Sequence, residues 1–514
     1  MSDESLHYRG GGHPVDNTTG DVELITTTTN GNDDAFHDEL RDDDKPTTTT
    51  TTAAIVGSAR TPWYGTTIVL LSEVMGTGIL SLPYASRIIG WQSALVAVPL
   101  FAIFASYSGW LLWRVQHERS NLHLHSYAAA AHELVGPKFG RMTEISMLIS
   151  WGALAIYYMI AAGDGLEDVF FFSGSSLCQY QRTFFVVVLL VLPCQCQDFY
   201  SISKYLSLPS TVAVVVSVFI IATNILLLKD NGSTDTAAAE TTTTTDTTKS
   251  LFDYLMALSS FCFAYQGQSI YLELMSEMKE PRHFPRAINV AYGIMCFFYG
   301  FTVWVTYYGI SSSSDIPGFL PDILPLNSFS RSVVGALVVL HIAVSYVIAG
   351  QPLHKWLHET IFVSSSEPEE GAESKSRRTT WFYVTFGYLI FGWVLSNCIP
   401  FFADVQALIG SLFGAPIMFA WPVIFVVAAV ATANSTSSYA GLTMMDRTAK
   451  NTNNASTIQF WKQGFRQLGW GHASICIVFL VICTPLFCIL GTIGAIQSIV
   501  EDSEQAAVGP FHCE

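Results

Sequence analysis

The chain has 514 residues, of which 50% are hydrophobic and only 13% are charged. Soluble domains contain about 25% charged residues, so this composition excludes an ordinary soluble protein and indicates one that spans a membrane. Of the net charge of −16, residues 1–60 contribute −8 and residues 501–514 contribute −4. The rest of the chain has no basic surface that would neutralise phosphates, which excludes a nucleic-acid partner.

The N-terminal segment is acidic and rich in threonine, with uninterrupted runs at 26–29 and 47–52. It has too few large apolar residues to offset the conformational entropy lost on folding, so we predict a disordered cytosolic tail over residues 1–61. It also lacks the basic and apolar regions of a signal peptide. Residues 62–500 form the predicted transmembrane domain, and residues 501–514 form a short acidic tail on the non-cytosolic side.

Spanning a bilayer core of about 30 Å takes roughly 20 apolar residues in a helix. Eleven windows of the sequence meet this condition, although the fourth is short and ends in the polar segment 194–198. The windows are 66–86, 91–113, 142–163, 183–199, 205–228, 251–274, 287–310, 332–352, 380–400, 405–433 and 473–500. We therefore predict an all-α polytopic membrane protein with about 11 transmembrane helices.

The Lys and Arg residues between these windows predict the orientation of the spans. With the N-terminus in the cytosol, 20 of the 25 fall in inner segments and 5 in outer segments, which satisfies the positive-inside rule. The C-terminus is then lumenal or extracellular, and Asn231 begins a candidate glycosylation sequon in an outer loop. Most of the ten cysteines lie in apolar windows, so we predict no disulfide framework.

The first window is interrupted at mid-depth by Gly76 and Gly78, and Pro83 removes a backbone donor shortly afterwards. Backbone released from a helix inside a bilayer is tolerated where it lines a cavity or binds a ligand. Glu73 lies one turn before the interruption, where a charge costs about 2.5–3.5 kcal/mol on insertion scales. The pattern predicts a broken helix with a functional carboxyl group. The alternative is a kinked packing helix in which Glu73 is neutralised.

The sixth window has a second polar interruption, Gln266-Gly267-Gln268-Ser269. The two broken spans are five apart, and a repeat of five helices reverses orientation. Discontinuous helices at matching positions of inverted repeats indicate the midplane binding site of a transporter. The half-helix after Gly78 offers free N–H groups to a carboxylate, and carbonyls released around Tyr265 accept from an ammonium group. The two breaks together suit a zwitterion.

Four segments of the chain are similar to one family of membrane proteins. They are GTGILSLPYA (76–85), SYAAAAHELVGPKFGR (126–141), FAYQGQSIYLELMSEMKEPRHFPRA (263–287) and SYVIAGQPLHKWLHE (345–359). Together they resemble the amino acid/auxin permease family of eukaryotic amino acid transporters. The resemblance covers roughly residues 62–500. It implies two inverted five-helix repeats with broken helices 1 and 6, an extra C-terminal helix, and proton- or sodium-coupled movement of amino acids.

We therefore predict a symporter or antiporter of neutral amino acids that works by alternating access and needs no cofactor. The predicted substrate-binding residues are Gly76, Thr77, Gly78 and Ile79 for the carboxylate, with Tyr265, Gln266 and Gly267 lining the same cavity. Glu73 and Ser345 are the candidates for handling the coupling ion, with a proton favoured over sodium. In the sodium-coupled alternative, Ser345 is an ion ligand contributed by span eight. The membrane is vacuolar, endolysosomal or plasma.

Two rival functions belong to other classes. A transporter-like receptor would bind amino acids and signal through the acidic tail, and a polytopic membrane enzyme would need a metal or a nucleophile. His354 and His358 stand at i and i+4, a spacing that could ligate a metal, but a single pair is more typical of interfacial histidines on a solvated helix. His341 lies inside span eight, either as a proton relay or as a packed polar contact. No nucleophile elbow or P-loop is present.

Overall fold

The structure is a computed structural model. It describes residues 61–120, 122, 124–171, 177–196, 199–230, 250–310, 316–362, 373–398, 402–433 and 454–506. The predicted tail 1–60, Asn231 and residues 507–514 lie outside the described residues. Within them the secondary structure is helical, apart from one isolated parallel bridge between Thr61 and Met278.

Fifteen α-helices are numbered here in chain order over the described residues. They are α1 (Trp63–Val74), α2 (Gly78–Ile89), α3 (Trp91–Glu118), α4 (Tyr127–Leu134), α5 (Pro137–Phe171), α6 (Gln179–Val191), α7 (Phe199–Asp230), α8 (Leu251–Tyr265), α9 (Tyr271–Glu277), α10 (Phe284–Gly309), α11 (Phe329–Phe362), α12 (Glu373–Ser396), α13 (Phe402–Ala433), α14 (Asn454–Leu468) and α15 (Trp470–Glu504). Helices α13 and α15 contain π-helical turns, and α15 continues past the predicted boundary at residue 500.

Each of the eleven predicted windows coincides with a helical segment. Among the described residues, seven helices are long and apolar enough to cross a membrane, and the bent pair α1–α2 makes an eighth. Helix α6 has only 13 residues and ends at Val191, because Pro193 follows in a short 3₁₀ turn. The all-α polytopic fold is confirmed and the chain is a multi-pass integral membrane protein, whereas the count of eleven crossings stays a prediction.

The two interruptions predicted from the sequence are real breaks in the helices. Helix α1 ends at Val74 and α2 begins at Gly78, with a bend of 56° between them. Helix α8 ends at Tyr265, and Gln266 is extended, with φ −75° and ψ 127°. A 3₁₀ turn over Gln268–Ile270 then leads into α9. Glycine and the polar side chains around it are poor helix formers, so both helices end where the sequence predicts.

Helices α5 and α11 pack closely through small residues. A Cβ atom added to Gly335 on α11 would come within 2.5 Å of the Gly165 carbonyl oxygen on α5. Glycine at both positions lets the two backbones approach, as is typical of helix pairs in membranes. These two helices therefore form a rigid pair, and both of them line the cavity described below.

Among the described cysteines, Cys178 is disulfide-bonded and the other eight are free.

One expectation from the sequence is wrong. His354 and His358 were expected on a solvated face, but both are buried, at 1% and 6% exposure. Helix α12 covers them, since its Trp381 ring lies within 6 Å of both imidazoles.

An ion-pair network joins α5, α11 and the segment before α11. Arg331 on α11 donates from Nε to Asp168 Oδ1 (2.5 Å) and from an Nη atom to Asp322 Oδ1 (2.6 Å). It also donates to the Leu324 carbonyl oxygen at 3.1 Å. Asp168 is 1% exposed and Arg331 8%, so removing one partner leaves the other as a buried, uncompensated charge.

We expect Arg331→Ala to destabilise the protein by about 3–5 kcal/mol, the range for breaking a buried pair on one side. Thermal unfolding of purified protein in detergent measures the change. The matched control is Arg282→Ala, because Arg282 pairs with Glu280 on an exposed surface and such pairs contribute about 0.2–1 kcal/mol. Equal shifts in the two variants would contradict a structural role for the network.

Candidate functional site

A cavity of about 60 Å³ lies at the two helix breaks. Residues from both breaks line it, together with side chains of α5 and α11. The lining residues are Glu73, Val74, Gly76, Thr77, Gly78, Trp151, Leu154, Tyr158, Phe263, Gln266, Gly267, Ser269, Ile270, Ile348, Ala349 and Pro352. Of the nine residues predicted for the site, six line this cavity: Glu73, Gly76, Thr77, Gly78, Gln266 and Gly267.

The first break presents free backbone amides to the cavity. The N–H groups of Gly76, Thr77 and Gly78 donate to no acceptor within the described residues. Ile79 differs, because its N–H donates to the Gly76 carbonyl oxygen at 3.3 Å and its side chain is fully buried outside the cavity lining. Three of the four amides predicted to bind a carboxylate are therefore available at the N-terminus of α2.

The second break contributes the Gln266 side chain. Its Oε1 atom is buried and has no hydrogen-bond partner among the described residues, although the amide lies against Gly414 of α13. Tyr265 does not line the cavity. Its carbonyl oxygen accepts a hydrogen bond from the Tyr292 hydroxyl at 3.0 Å, and its ring packs among those of Tyr292 and Tyr299.

The two breaks contact each other through their glycines. A Cβ atom on Gly78 would lie 2.9 Å from Ala264 Cα, in the last turn of α8. In the reciprocal contact, a Cβ atom on Gly267 would overlap the Val74 side chain, at the end of α1. Gly267 was predicted to leave space for the side chain of the substrate. In this arrangement Val74 occupies that space.

Glu73 lines the cavity without a counter-ion. Its side chain is half-buried, its Oε1 atom is buried, and neither an ion pair nor a hydrogen bond to that atom exists within the described part of the chain. It is the one charged residue among those that line the cavity. An uncompensated carboxylate is costly to bury.

Ser345 lies beside the first break but not on the cavity. It is fully buried, and its Oγ is 3.4 Å from His341 Nε2. The other ring nitrogen, Nδ1, is 2.7 Å from the Ser210 hydroxyl on α7. The same Nε2 atom would be 3.1 Å from a Cβ atom on Gly76. The imidazole of His341 therefore separates Ser345 from the break, and it is a packed polar contact between three elements.

Several lining residues were not among the nine predicted for the site. Trp151, Leu154 and Tyr158 on α5 and Ile348 and Ala349 on α11 reach the cavity because these two helices pack against the breaks. Aromatic and aliphatic residues inside an apolar helix carry no local signal that separates cavity lining from lipid contact or core. Only their i, i+3 and i+7 spacing on α5, at positions 151, 154 and 158, indicates a shared face.

Comparison with known proteins identifies the family of the chain. The family described as transmembrane amino acid transporter protein matches residues 59–450, about three quarters of the sequence. The chain belongs to this family. The resemblance to the amino acid/auxin permease family is confirmed.

Curated members of the transmembrane amino acid transporter family are distant relatives of the chain. Amino acid transporter AVT1E of Arabidopsis thaliana is 25% identical over 363 residues, which cover 68% of this chain and 64% of the relative. Amino acid transporter ANT1 of the same plant is 21% identical over 86% of this chain and 94% of its own length. The vesicular inhibitory amino acid transporter of Xenopus tropicalis is 22% identical over 69% of this chain and 68% of its own length. The match spans less than two thirds of AVT1E.

Among solved structures, a Na⁺-coupled sialic acid symporter in a substrate-bound outward-open state is similar over 85% of this chain and 90% of its own, with 14% identity and a TM-score of 0.49. MhsT in complex with L-phenylalanine is similar over 86% of this chain and 99% of its own, with 12% identity and a TM-score of 0.46.

Because Gly78 packs directly on the backbone of α8, we expect Gly78→Ala to displace the two breaks and abolish most amino acid transport. A misplacement of about 1 Å at a binding site costs on the order of 100-fold. Uptake of labelled amino acids into proteoliposomes measures the loss, with the amount of inserted protein quantified in parallel. The larger Gly78→Leu should also abolish transport in protein that remains inserted.

The matched control is Gly293→Ala on α10, where an added Cβ atom meets nothing within 4 Å. It should transport at the parental rate. Unchanged uptake by Gly78→Ala would show that the close approach of α2 and α8 is not needed for transport.

Proposed function

We propose that the protein transports neutral amino acids across its membrane by alternating access around the cavity between the two breaks, with protons as the coupling ion. The observation that carries this proposal is the meeting of two broken helices at one cavity. The residues that line it include Gly76, Thr77 and Gly78, whose amides have no partner among the described residues, and Gln266 and Glu73, whose Oε1 atoms have none there either. The N-terminus is proposed to be cytosolic and the C-terminus lumenal or extracellular.

The free amides of Gly76, Thr77 and Gly78 would bind the substrate carboxylate. They lie at the start of α2, where unsatisfied N–H groups and the helix dipole favour an anion. Among the described residues no Lys or Arg side chain lines the cavity, so the carboxylate would bind these backbone amides together with neutral donors such as the hydroxyls of Thr77 and Ser269. Ile79 supports this arrangement through its bond to Gly76 rather than by contacting the substrate.

The second break would bind the ammonium group. Gln266 Oε1 is an acceptor without a partner among the described residues. The Tyr265 carbonyl, also predicted as an acceptor, lies outside the cavity lining and accepts from Tyr292. Once Glu73 is protonated, the cavity has no charged side chain to pair with a charged substrate side chain. This absence supports a preference for neutral amino acids.

The contact between α1 and the second break supports alternating access. Val74 fills the space against Gly267. Movement of α1 away from the second break would enlarge this space and expose the cavity to one side of the membrane.

Proton coupling is favoured over sodium by the positions of Glu73 and Ser345. Glu73 lines the cavity and has no counter-ion among the described residues, so it can bind a proton when the cavity closes and release it when water enters. Ser345, the candidate sodium ligand, is in contact with His341 instead. A sodium ion there would require the imidazole to move.

We expect Glu73→Gln to lose the uphill accumulation of amino acids driven by a pH gradient and to retain exchange of substrate for substrate. Glutamine imitates the protonated carboxyl group, so the site still closes but carries no proton. Accumulation and exchange are measured in the same proteoliposomes, with proton and sodium gradients varied separately.

Glu133→Gln is the control, because the Glu133 side chain is 49% exposed and lies on α4, which carries neither break. It should accumulate substrate like the parent. Full accumulation by Glu73→Gln, or a strict sodium requirement of the parent, would contradict the proton assignment.

We expect Gln266→Leu to raise the half-saturating substrate concentration about ten-fold, the loss of roughly one hydrogen bond of about 1.4 kcal/mol. Expression should change little, because Oε1 has no partner within the described protein to lose. The control is Gln92→Leu on the exposed side of α3, which should leave the half-saturating concentration unchanged. A cysteine at position 266 should react with water-borne reagents in one of the transport states, and its complete inertness would place Gln266 outside the pathway.

A further inference from the structure

Tyr299 on α10 lies behind the two breaks and was not among the residues predicted for the site. It is fully buried and does not line the cavity. Its hydroxyl oxygen is 3.1 Å from the Val74 carbonyl oxygen and 2.9 Å from the Ala264 carbonyl oxygen. One hydroxyl group therefore reaches the last residue of α1 and the last turn of α8.

The chemistry of a phenol limits what this group can do. A tyrosine hydroxyl carries a single proton to donate, and both neighbours are carbonyl oxygens, which only accept. The two acceptors must therefore share the proton or take it in turn. A small displacement of either broken helix changes which carbonyl receives the bond, because hydrogen bonds weaken steeply with distance and angle.

The two carbonyls belong to the residues that the glycines contact. Gly267 packs against Val74, and Gly78 packs against Ala264. The Tyr299 hydroxyl therefore contacts the carbonyl groups of the same two residues against which the glycines pack. Its ring packs edge-on against Tyr265 at a centroid distance of 4.9 Å. Movement of α1 away from α8 has to break or shift this hydroxyl contact.

We propose that Tyr299 is a positioning residue that holds the two breaks in register beside the site, and that its hydroxyl donates a hydrogen bond to only one of the two carbonyls when α1 and α8 separate. The proposal rests on the proposed function in so far as the breaks form the substrate site. Tyr299 itself contacts neither the cavity nor the substrate. It acts by keeping Val74 and Ala264 at a fixed separation.

The test compares Tyr299→Phe with Tyr346→Phe. Both remove one hydroxyl from a fully buried tyrosine, but the Tyr346 hydroxyl has no hydrogen-bond partner in the described part of the chain. Each variant is assayed for the half-saturating concentration and maximal rate of substrate exchange, and for thermal unfolding. A cysteine introduced at Ser269, which lines the cavity, reports how fast a water-borne reagent reaches the site without substrate.

We expect Tyr299→Phe to raise the half-saturating concentration about five-fold, the loss of roughly one hydrogen bond, and to change labelling at position 269 several-fold. The half-saturating concentration and the labelling rate of Tyr346→Phe should each stay within about two-fold of the parental values, since this variant loses no hydrogen bond. A Tyr299→Phe variant that unfolds at a lower temperature but keeps the parental half-saturating concentration and labelling rate would overturn the proposal, because the hydroxyl would then be merely structural.

Two further measurements cover the cases in which the parent does not transport or the Tyr299→Phe variant does not fold. If the parent shows no saturable amino acid transport, the proposed function fails, while labelling at position 269 still tests Tyr299. If Tyr299→Phe does not fold, 3,5-difluorotyrosine at position 299 keeps the ring and strengthens the hydroxyl as a donor. That substitution should slow the labelling, and an unchanged rate would overturn the proposal.

Discussion

The structure depends on one contact, the reciprocal packing of the two broken helices. Gly78 lies against Ala264, and Gly267 lies against Val74. Only glycine permits such an approach, because a Cβ atom at either position would overlap the opposite helix. The same two glycines weaken the helices they interrupt. Glycine at these two positions therefore both breaks each helix and lets the broken ends meet. As a result, residues from two distant parts of the chain line one cavity.

The polar groups around this contact divide into satisfied and unsatisfied ones. Tyr299 and Tyr292 donate to carbonyls of the last turns of α1 and α8. The amides of Gly76 to Gly78 and the side-chain oxygens of Gln266 and Glu73 have no partner within the described protein. Buried polar groups without partners are costly. The carbonyls held by tyrosines belong to the scaffold, whereas the groups left without a partner belong to residues that line the cavity.

Helices α5 and α11 give the breaks a firm support. They approach closely at Gly165 and Gly335, and the ion pair between Asp168 and Arg331 joins them near one end. The same helices present Tyr158 and Ala349 to the cavity. These contacts fix α5 and α11 against each other, while α1, α2, α8 and α9 carry the two breaks.

The sequence by itself determined the class of the protein, the places of its helices and both breaks, since hydropathy, glycine and proline act locally on the chain. It also predicted Glu73, the amides after Gly76 and Gln266 as cavity groups, because polar residues at mid-depth need a function. Tertiary structure alone decided that Val74 fills the space against Gly267, that Tyr299 bridges the two breaks, and that His341 separates Ser345 from the first break. Tertiary structure also decided that His354 and His358 are buried and that Cys178 forms a disulfide bond. These contacts join residues tens to hundreds of positions apart, and no local pattern records which apolar faces will meet.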